Sequence, residues 1–202
     1  MPSSTSPHAS ARATQTLRQE HEAILRMLDV LDEAASQLDH GKHLRPEVLE
    51  GLVEFFSLFA DRCHHGKEEE VLFPTLEAKG LTRVGGPVGV MLREHDTGRI
   101  LLNHMRESAQ QYRENAPGAA RRFVGAAREY GTLLRDHIFK ENNVLFMMAE
   151  QLLSETEQEA LAGRFEDIEQ TKMGLGTHER LHHLMARLES EILDPGHSGK
   201  SR

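Results

Sequence analysis

The chain has 202 residues, enough for one sizeable domain with an extension. Its formal net charge of −8 argues against binding to nucleic acid or to an anionic membrane, because both need a basic surface. Its apolar runs are only a few residues long, too short for a transmembrane helix. The first residues are polar and lack the core of a secretory signal. The single cysteine, Cys63, fits a reducing compartment, so we expect a cytoplasmic protein.

Four long segments with apolar residues three and four positions apart follow a polar start. Residues 1–13 are rich in Ser, Pro and Ala, which predicts a disordered tail. We expect helices at about 14–38, 46–78, 87–114 and 117–153. The last three each open at a proline, a residue favoured in the first helical turn. Glycine and asparagine between the segments are typical of loops.

The predicted fold is all-α, with an up-down-up-down four-helix bundle over residues 14–153. Residues 154–202 are expected to form a C-terminal helical extension that packs outside the bundle. Ser154 and Glu157, at its start, have the spacing of a capping box. A protein partner that contacts this extension is one hypothesis.

Two short motifs each occur twice in the chain. QEHEAIL, around His21, resembles REHDTGR, around His95. HHGKEEEVLF at 64–73 resembles HIFKENNVLF at 137–146. The offsets are 74 and 73 residues, so two helical hairpins keep a common register. This duplication makes a chance origin of the shared polar residues improbable.

The repeated polar side chains lie in line with apolar positions and are predicted to point into the bundle. Within each HxxxE segment the His and the Glu are four apart, so they share one helix face. Buried carboxylates and imidazoles without partners cost several kcal/mol each. Metal ions would neutralise the carboxylates, and this ligand set suits iron or manganese. The predicted metal ligands are His21, His64, Glu68, His95, His137 and Glu141.

The segments EHEAIL, HHGKEEEVLFP, REHD and HIFKENNVLF resemble the hemerythrin family, in particular hemerythrin-like proteins with the HHE cation-binding domain. The resemblance covers about residues 14–150. It implies a left-twisted four-helix bundle that holds two non-haem iron ions, bridged by two carboxylates and an oxo or hydroxo group. Carried over, the four histidines would be terminal ligands, and Glu68 and Glu141 would be the bridges.

One position departs from the oxygen-carrying members of that family. They have a fifth histidine one turn after the third-helix ligand, and here that position is Arg99. The chain therefore resembles the subgroup with four histidines and two carboxylates. An open iron position is expected to favour reactivity over reversible O2 carriage. An inward-facing Arg99 guanidinium would favour an anionic peroxide, whereas a salt-bridging role is the plainer alternative.

The expected function is that of a non-haem di-iron protein that binds or reacts with O2, peroxide or NO. Catalase-like decomposition of peroxide is one activity consistent with such a centre. The alternatives are a sensor of O2, iron or NO, or a binding module of the iron–sulfur cluster repair type, without turnover. A ferritin-like oxidase is less favoured, because that fold uses Glu-x-x-His pairs.

Several other polar residues have competing interpretations. His178 and His182 stand in an H-E-x-x-H sequence typical of zinc proteases, but a packed terminal helix is the simpler interpretation.

His65 and Glu69 form a second His/Glu pair four residues apart, beside His64 and Glu68. The repeat aligns His64 with His137, so His65 and Glu69 are expected to be supporting or surface residues. Tyr130 and Cys63 are expected in the core.

Overall fold

The computed structural model describes residues 12–173 and 176–193, apart from the side chains of Met173 and His178. This part of the chain is helical and contains no strand. It forms six helices: α1 (Ala13–Asp39), α2 (46–78), α3 (Pro87–Arg113), α4 (119–152), α5 (Glu155–Met173) and α6 (Thr177–Leu193). The predicted all-α class is confirmed. A disordered tail was predicted at 1–13. Residues 1–11 lie outside the described part of the chain, and helix α1 already begins at Ala13.

The first four helices form the predicted bundle. Each contacts its neighbours around a closed ring, α1 with α4, α4 with α3, α3 with α2 and α2 with α1. Helices α2 and α3 begin at the expected prolines, Pro46 and Pro87. Helix α4 begins at Ala119 rather than Pro117, because Gly118 has a φ of +75° and cannot continue a right-handed helix backwards.

Two of the helices contain π-helical turns. Helix α2 is α-helical over Pro46–Phe55 and Phe73–Ala78, and π-helical over Phe56–His65 and Glu68–Leu72. Helix α4 is α-helical over Ala119–Lys140 and Phe146–Leu152, and π-helical over Glu141–Leu145. A π-turn holds more residues than an α-turn and is frequent at functional sites. Here the π-turns include His64 and Glu68 of the first HxxxE segment and Glu141 of the second.

The apolar core consists of two clusters with a polar layer between them. One cluster contains Leu28, Phe56 and Leu134, and the other contains Leu17, Phe73 and Phe146. The histidines and glutamates of the repeated motifs lie between these clusters along every bundle helix. Their burial is therefore enforced by the packing of apolar side chains on both sides.

Helices α5 and α6 pack against α1 and α2. Their apolar residues, among them Phe165 and Leu188, are buried in the two clusters. A Cβ atom on Gly51 would lie 3.2 Å from Cδ1 of Leu184, so the missing side chain allows α6 to approach α2 closely. In the part of the chain that the structure describes, no helix is long and apolar enough to cross a bilayer.

The capping box predicted at the start of α5 is present. The Glu157 amide donates to Ser154 Oγ at 3.3 Å, and the Ser154 amide donates to Glu157 Oε2 at 2.9 Å. Lys79, with the amide and the hydroxyl of Ser154 that donate to this carboxylate, lowers the pKa of the Glu157 carboxyl to about 2. The extension is thus a helical unit with its own helix-start signal, as the sequence indicated.

Candidate metal centre

The structure brings all six predicted side chains into one buried cluster in the polar layer, and it adds His65. Their ligand-type atoms form two groups in which all members lie within 4.8 Å of one another. The first group is His21, His64, Glu68 and Glu141. The second group is His65, Glu68, His95 and His137. No member is more than 4% exposed. These are the only such groups among the described residues.

Both buried carboxylates reach imidazoles of both groups. Glu68 Oε1 lies 3.8 Å from Nε2 of His64, and its Oε2 lies 3.4 Å from Nε2 of His95. Glu141 Oε2 lies 3.1 Å from Nε2 of His21, and its Oε1 lies 3.3 Å from Nε2 of His137. Each carboxylate therefore directs one oxygen toward each group.

His65 was expected to be a supporting or surface residue; the structure excludes a surface position and places its side chain in the second group. Its side chain is buried, and its ring stacks on His95 with 3.8 Å between ring centroids. Successive residues of an α-helix point about 100° apart, which would turn His65 away from the cluster if His64 faces it. The π-helical segment Phe56–His65 narrows that angle, so both histidines face inward.

Two of the imidazoles, one in each copy of the repeat, form the same kind of hydrogen bond with a glutamate outside the cluster. His64 Nδ1 donates to Glu20 at 2.8 Å, and Glu20 also pairs with Lys67. His137 Nδ1 likewise donates to Glu94 at 3.0 Å, and Glu94 pairs with a lysine, Lys140.

Each of these glutamates directly precedes a predicted histidine ligand, and each lysine follows one by three residues. The internal repeat thus includes the hydrogen-bonding partners, which the sequence interpretation missed. The signal was present in the shared Glu-His and His-x-x-Lys pairs.

Two further imidazoles have equivalent partners. His95 Nδ1 donates to Glu69 at 2.7 Å. His21 Nδ1 lies 3.0 Å from the side-chain oxygen of Asn142, whose backbone carbonyl accepts from Arg18 at 2.7 Å. A hydrogen bond at Nδ1 fixes the tautomer and orientation of an imidazole that binds a metal through Nε2. Glu69 therefore has the supporting role that was one of its expected alternatives.

Arg99 does not face the cluster. Its guanidinium donates to Asp61 at 2.8 Å, to Glu69 at 2.6 Å and to Asp96 at 3.1 Å, and it is about one-third exposed. The alternative of an inward guanidinium that favours peroxide is wrong, because three carboxylates accept its hydrogen bonds. The salt-bridging alternative is confirmed, and through Glu69 the arginine helps to hold His95.

The electrostatics of the cluster reflect its burial. Burial and the neighbouring Glu141 raise the pKa of Glu68 well above its usual range. Burial also acts to raise the pKa of Glu141, but the nearby His137 and His21 outweigh it and hold that pKa well below its usual range. Burial and His137 lower the pKa of His95 to about 3, whereas Glu141 raises the pKa of His137 to about 9, against the effect of burial.

The chemistry of the donor atoms fits a metal. Among the atoms without a hydrogen-bond partner are both side-chain oxygens of Glu68 and Glu141, and the Nε2 atoms of His21, His64 and His65. Nδ1 of His65 also lacks a partner. Buried polar atoms are almost always partnered, so a cluster of eight without partners needs an explanation. Oxygen and imidazole donors suit iron, and the cluster has the residues to hold it.

The other polar candidates do not add a site. His182 lies on the exposed face of α6, and the side chain of His178 lies outside the described residues. Tyr130 is buried and packs edge-on against Phe56, with 5.1 Å between centroids. Cys63 is buried, and burial raises the pKa of its thiol to about 12. Tyr130 and Cys63 are therefore core residues, as expected.

Replacing His65 tests its place in the cluster. We expect His65→Ala to lower the affinity of one metal ion by at least tenfold, because even outer partners of metal ligands contribute about 10- to 100-fold. His104→Ala is the matched control, because His104 is exposed on α3. Isothermal titration of the two variants with ferrous iron measures the effect. Equal affinities in both variants would place His65 outside the ligand set.

Comparison with known proteins gives one family and a set of curated relatives. The model of the hemerythrin HHE cation binding domain matches residues 12–149. The iron-sulfur cluster repair protein YtfE of Dickeya chrysanthemi is 30% identical over 133 residues, which are 64% of this chain and 60% of that protein. The proteins of the same name from Escherichia coli K12 and Shigella boydii serotype 18 are 29% identical over 109 residues.

Those 109 residues are 52% of this chain and 50% of each relative, so the match spans about half the length of these proteins. The family match ends before α5 and includes both copies of the repeated motifs. The duplicated motifs, the helical bundle and the buried His/Glu cluster agree with it. The chain belongs to the hemerythrin HHE cation-binding domain family.

Proposed function

We propose that the cluster holds two iron ions and that the protein binds or reacts with O2, peroxide or NO at one of them. The observation that carries this proposal is the orientation of the two buried carboxylates. Glu68 and Glu141 each direct one oxygen toward each group, and none of these four oxygens has a hydrogen-bond partner. Two cations, one in each group, would neutralise both carboxylates and use the unpartnered Nε2 atoms of His21, His64 and His65.

The two proposed iron positions differ in their imidazoles. The first group has two, His21 and His64, whereas the second has three, His65, His95 and His137. Glu68 belongs to both groups, and Glu141 of the first group also directs its Oε1 toward His137 of the second. The missing fifth histidine of α3 is thus replaced by His65 of α2, and the second position gains the extra imidazole. We therefore assign the more open position to the first group.

The surroundings of the first group favour a small ligand. The ring of Phe146 stacks on His21 at 5.5 Å between centroids, and Leu17 and Ile24 are buried one turn away on either side. These apolar side chains limit the entry of water and offer no hydrogen-bond donor to a bound ligand. Iron bound here would supply exchangeable electrons and a coordination position for a diatomic molecule or peroxide. The protein's own residues hold the ligand imidazoles and keep the site dry.

A ligand titration tests this function. The iron-loaded, reduced protein is mixed anaerobically with NO, and separately with O2 or H2O2, while its absorption spectrum is recorded. We expect NO to bind and O2 to oxidise the centre without a stable, reversible oxy form. An unchanged spectrum with all three ligands would contradict the proposal, and repeated reversible oxygenation would identify an oxygen carrier instead.

A second candidate is a part in iron–sulfur cluster repair, because the curated relatives carry that name. This function would require iron to leave the centre for a receiving protein. Incubation of the iron-loaded protein with an iron-depleted iron–sulfur protein, followed by measurement of cluster absorption, distinguishes the two. Iron transfer favours repair, and retained iron with peroxide consumption favours turnover at the centre.

A further inference from the structure

A chain of ion pairs connects the C-terminal extension to one of the candidate ligands. Glu169 of α5 has its Oε2 3.1 Å from Nζ of Lys67 on α2. Lys67 also pairs with Oε1 of Glu20 on α1. The other oxygen of Glu20 accepts from Nδ1 of His64 at 2.8 Å. A continuous polar path therefore runs from the extension to the first group.

The duplicated half of the protein lacks this connection. Glu94 holds His137 and Lys140 as Glu20 holds His64 and Lys67. The Lys140 side chain, however, is 37% exposed, and its one ion pair among the described residues is with Glu94. Lys67 is 1% exposed and has a carboxylate on each side. The two halves thus differ in the residue that α5 contributes.

Because Lys67 is buried, its ion pair with the second carboxylate, that of Glu169, is important. A buried ammonium group is costly unless charged partners compensate it. Without Glu169, Lys67 would depend on Glu20 alone, and Glu20 also has to hold His64. Helix α5 lies beside α2 at this point, since a Cβ atom on Gly66 would be in ordinary van der Waals contact, 3.8 Å from Cγ2 of Ile168. The ion pair between Glu169 and Lys67 is therefore the polar connection between α5 and the turn that carries the ligands.

We propose that Glu169 is a positioning residue for the first group. Acting through Lys67 and Glu20, it keeps the His64 imidazole aimed at the metal. Helix α5, which lies beyond the residues matched by the family model, thereby slows the release of the ion in the first group and leaves the ion in the second group unaffected. This inference rests on the proposed two-iron function.

Iron release measures the effect. Glu169→Gln removes the charge and keeps the shape, and Glu166→Gln is the control because Glu166 is exposed on the same helix. Each iron-loaded full-length variant is reduced and mixed with an excess of a ferrous chelator. We expect two release phases in the unmodified protein and in the control. In Glu169→Gln one phase should become about tenfold faster, in the range found for partners of metal ligands.

A second measurement does not depend on iron. In the metal-free protein the Nδ1 proton of His64 is expected to give a slowly exchanging NMR signal, because it is bound to Glu20. The signal is assigned by its loss in His64→Gln. Exchange should be faster in Glu169→Gln than in Glu166→Gln.

The outcomes separate this inference from the proposed function. Release that is the same in Glu169→Gln and Glu166→Gln, or equally accelerated in both phases, would overturn the positioning role, as would unchanged proton exchange. An unmodified protein that binds a single ion would contradict the proposed function. In that case the proton exchange alone decides whether Glu169 positions His64.

Discussion

Glu68→Gln is expected to have two opposite effects: loss of iron binding and a more stable metal-free protein at neutral pH. The loss follows because Glu68 is the one side chain common to both groups. The gain follows because its two buried oxygens have no hydrogen-bond partner, and a carboxylate in that position is costly. A neutral amide of the same shape removes the charge.

The pH dependence of this gain has a definite sign. Burial and Glu141 raise the pKa of Glu68 above its ordinary value of 4.5. The folded state then keeps a proton that the unfolded chain has already lost, so this group's contribution to stability falls as pH rises through 4.5 toward the folded pKa. The difference in unfolding free energy between Glu68→Gln and the unmodified metal-free protein should therefore grow with pH and then level off.

Urea unfolding in the presence of a chelator, at a series of pH values, measures this difference. Glu70→Gln is the matched control, because Glu70 is two residues away and exposed. Its surface ion pair with Lys172 is expected to contribute at most about 1 kcal/mol. A Glu68→Gln variant that retains its iron and follows the pH profile of the control would show that Glu68 is not a buried metal ligand.

Removing iron should lower the melting temperature of the unmodified protein strongly. The ligands come from all four bundle helices, so the metal ions bind the folded state and not the unfolded chain. Stabilisation by mass action reaches about 4 kcal/mol when free ligand exceeds its Kd about 1,000-fold. For a chain of this size that corresponds to a shift on the order of 10 °C.

Differential scanning calorimetry with and without a chelator gives the shift. The comparison should be repeated in Glu68→Gln, where we expect the chelator to have almost no effect. Equal melting temperatures of the metal-loaded and metal-free unmodified protein would mean that the cluster does not bind a metal across the bundle.

The bundle could be predicted from sequence because its signals are local and repeated. Apolar spacing and prolines at helix starts located α2 and α3. The common register of the two repeats predicted that His21, His64, His95 and His137 lie at the same height along the bundle axis. Each of these signals depends only on helical period and on the cost of burying polar groups. The gathering of those four side chains in the structure follows from the same physics.

The role of His65 could not be predicted in the same way. The interpretation assumed α-helical geometry, in which His64 and His65 cannot both face inward. A π-turn depends on packing between helices, and no local residue pattern in α2 specified it. Arg99 was similarly ambiguous, because its three carboxylate partners come from α2 and α3 and are known only once these helices are placed together.

The number and place of the metal ions test the central claim most directly. Protein produced with ample iron is purified, its metals are counted by mass spectrometry, and a crystal is measured at the iron absorption edge. We predict two irons per chain and two anomalous peaks, one among the ligand atoms of each group. A single peak, or zinc in place of iron, would contradict the account of a two-iron centre bridged by Glu68 and Glu141.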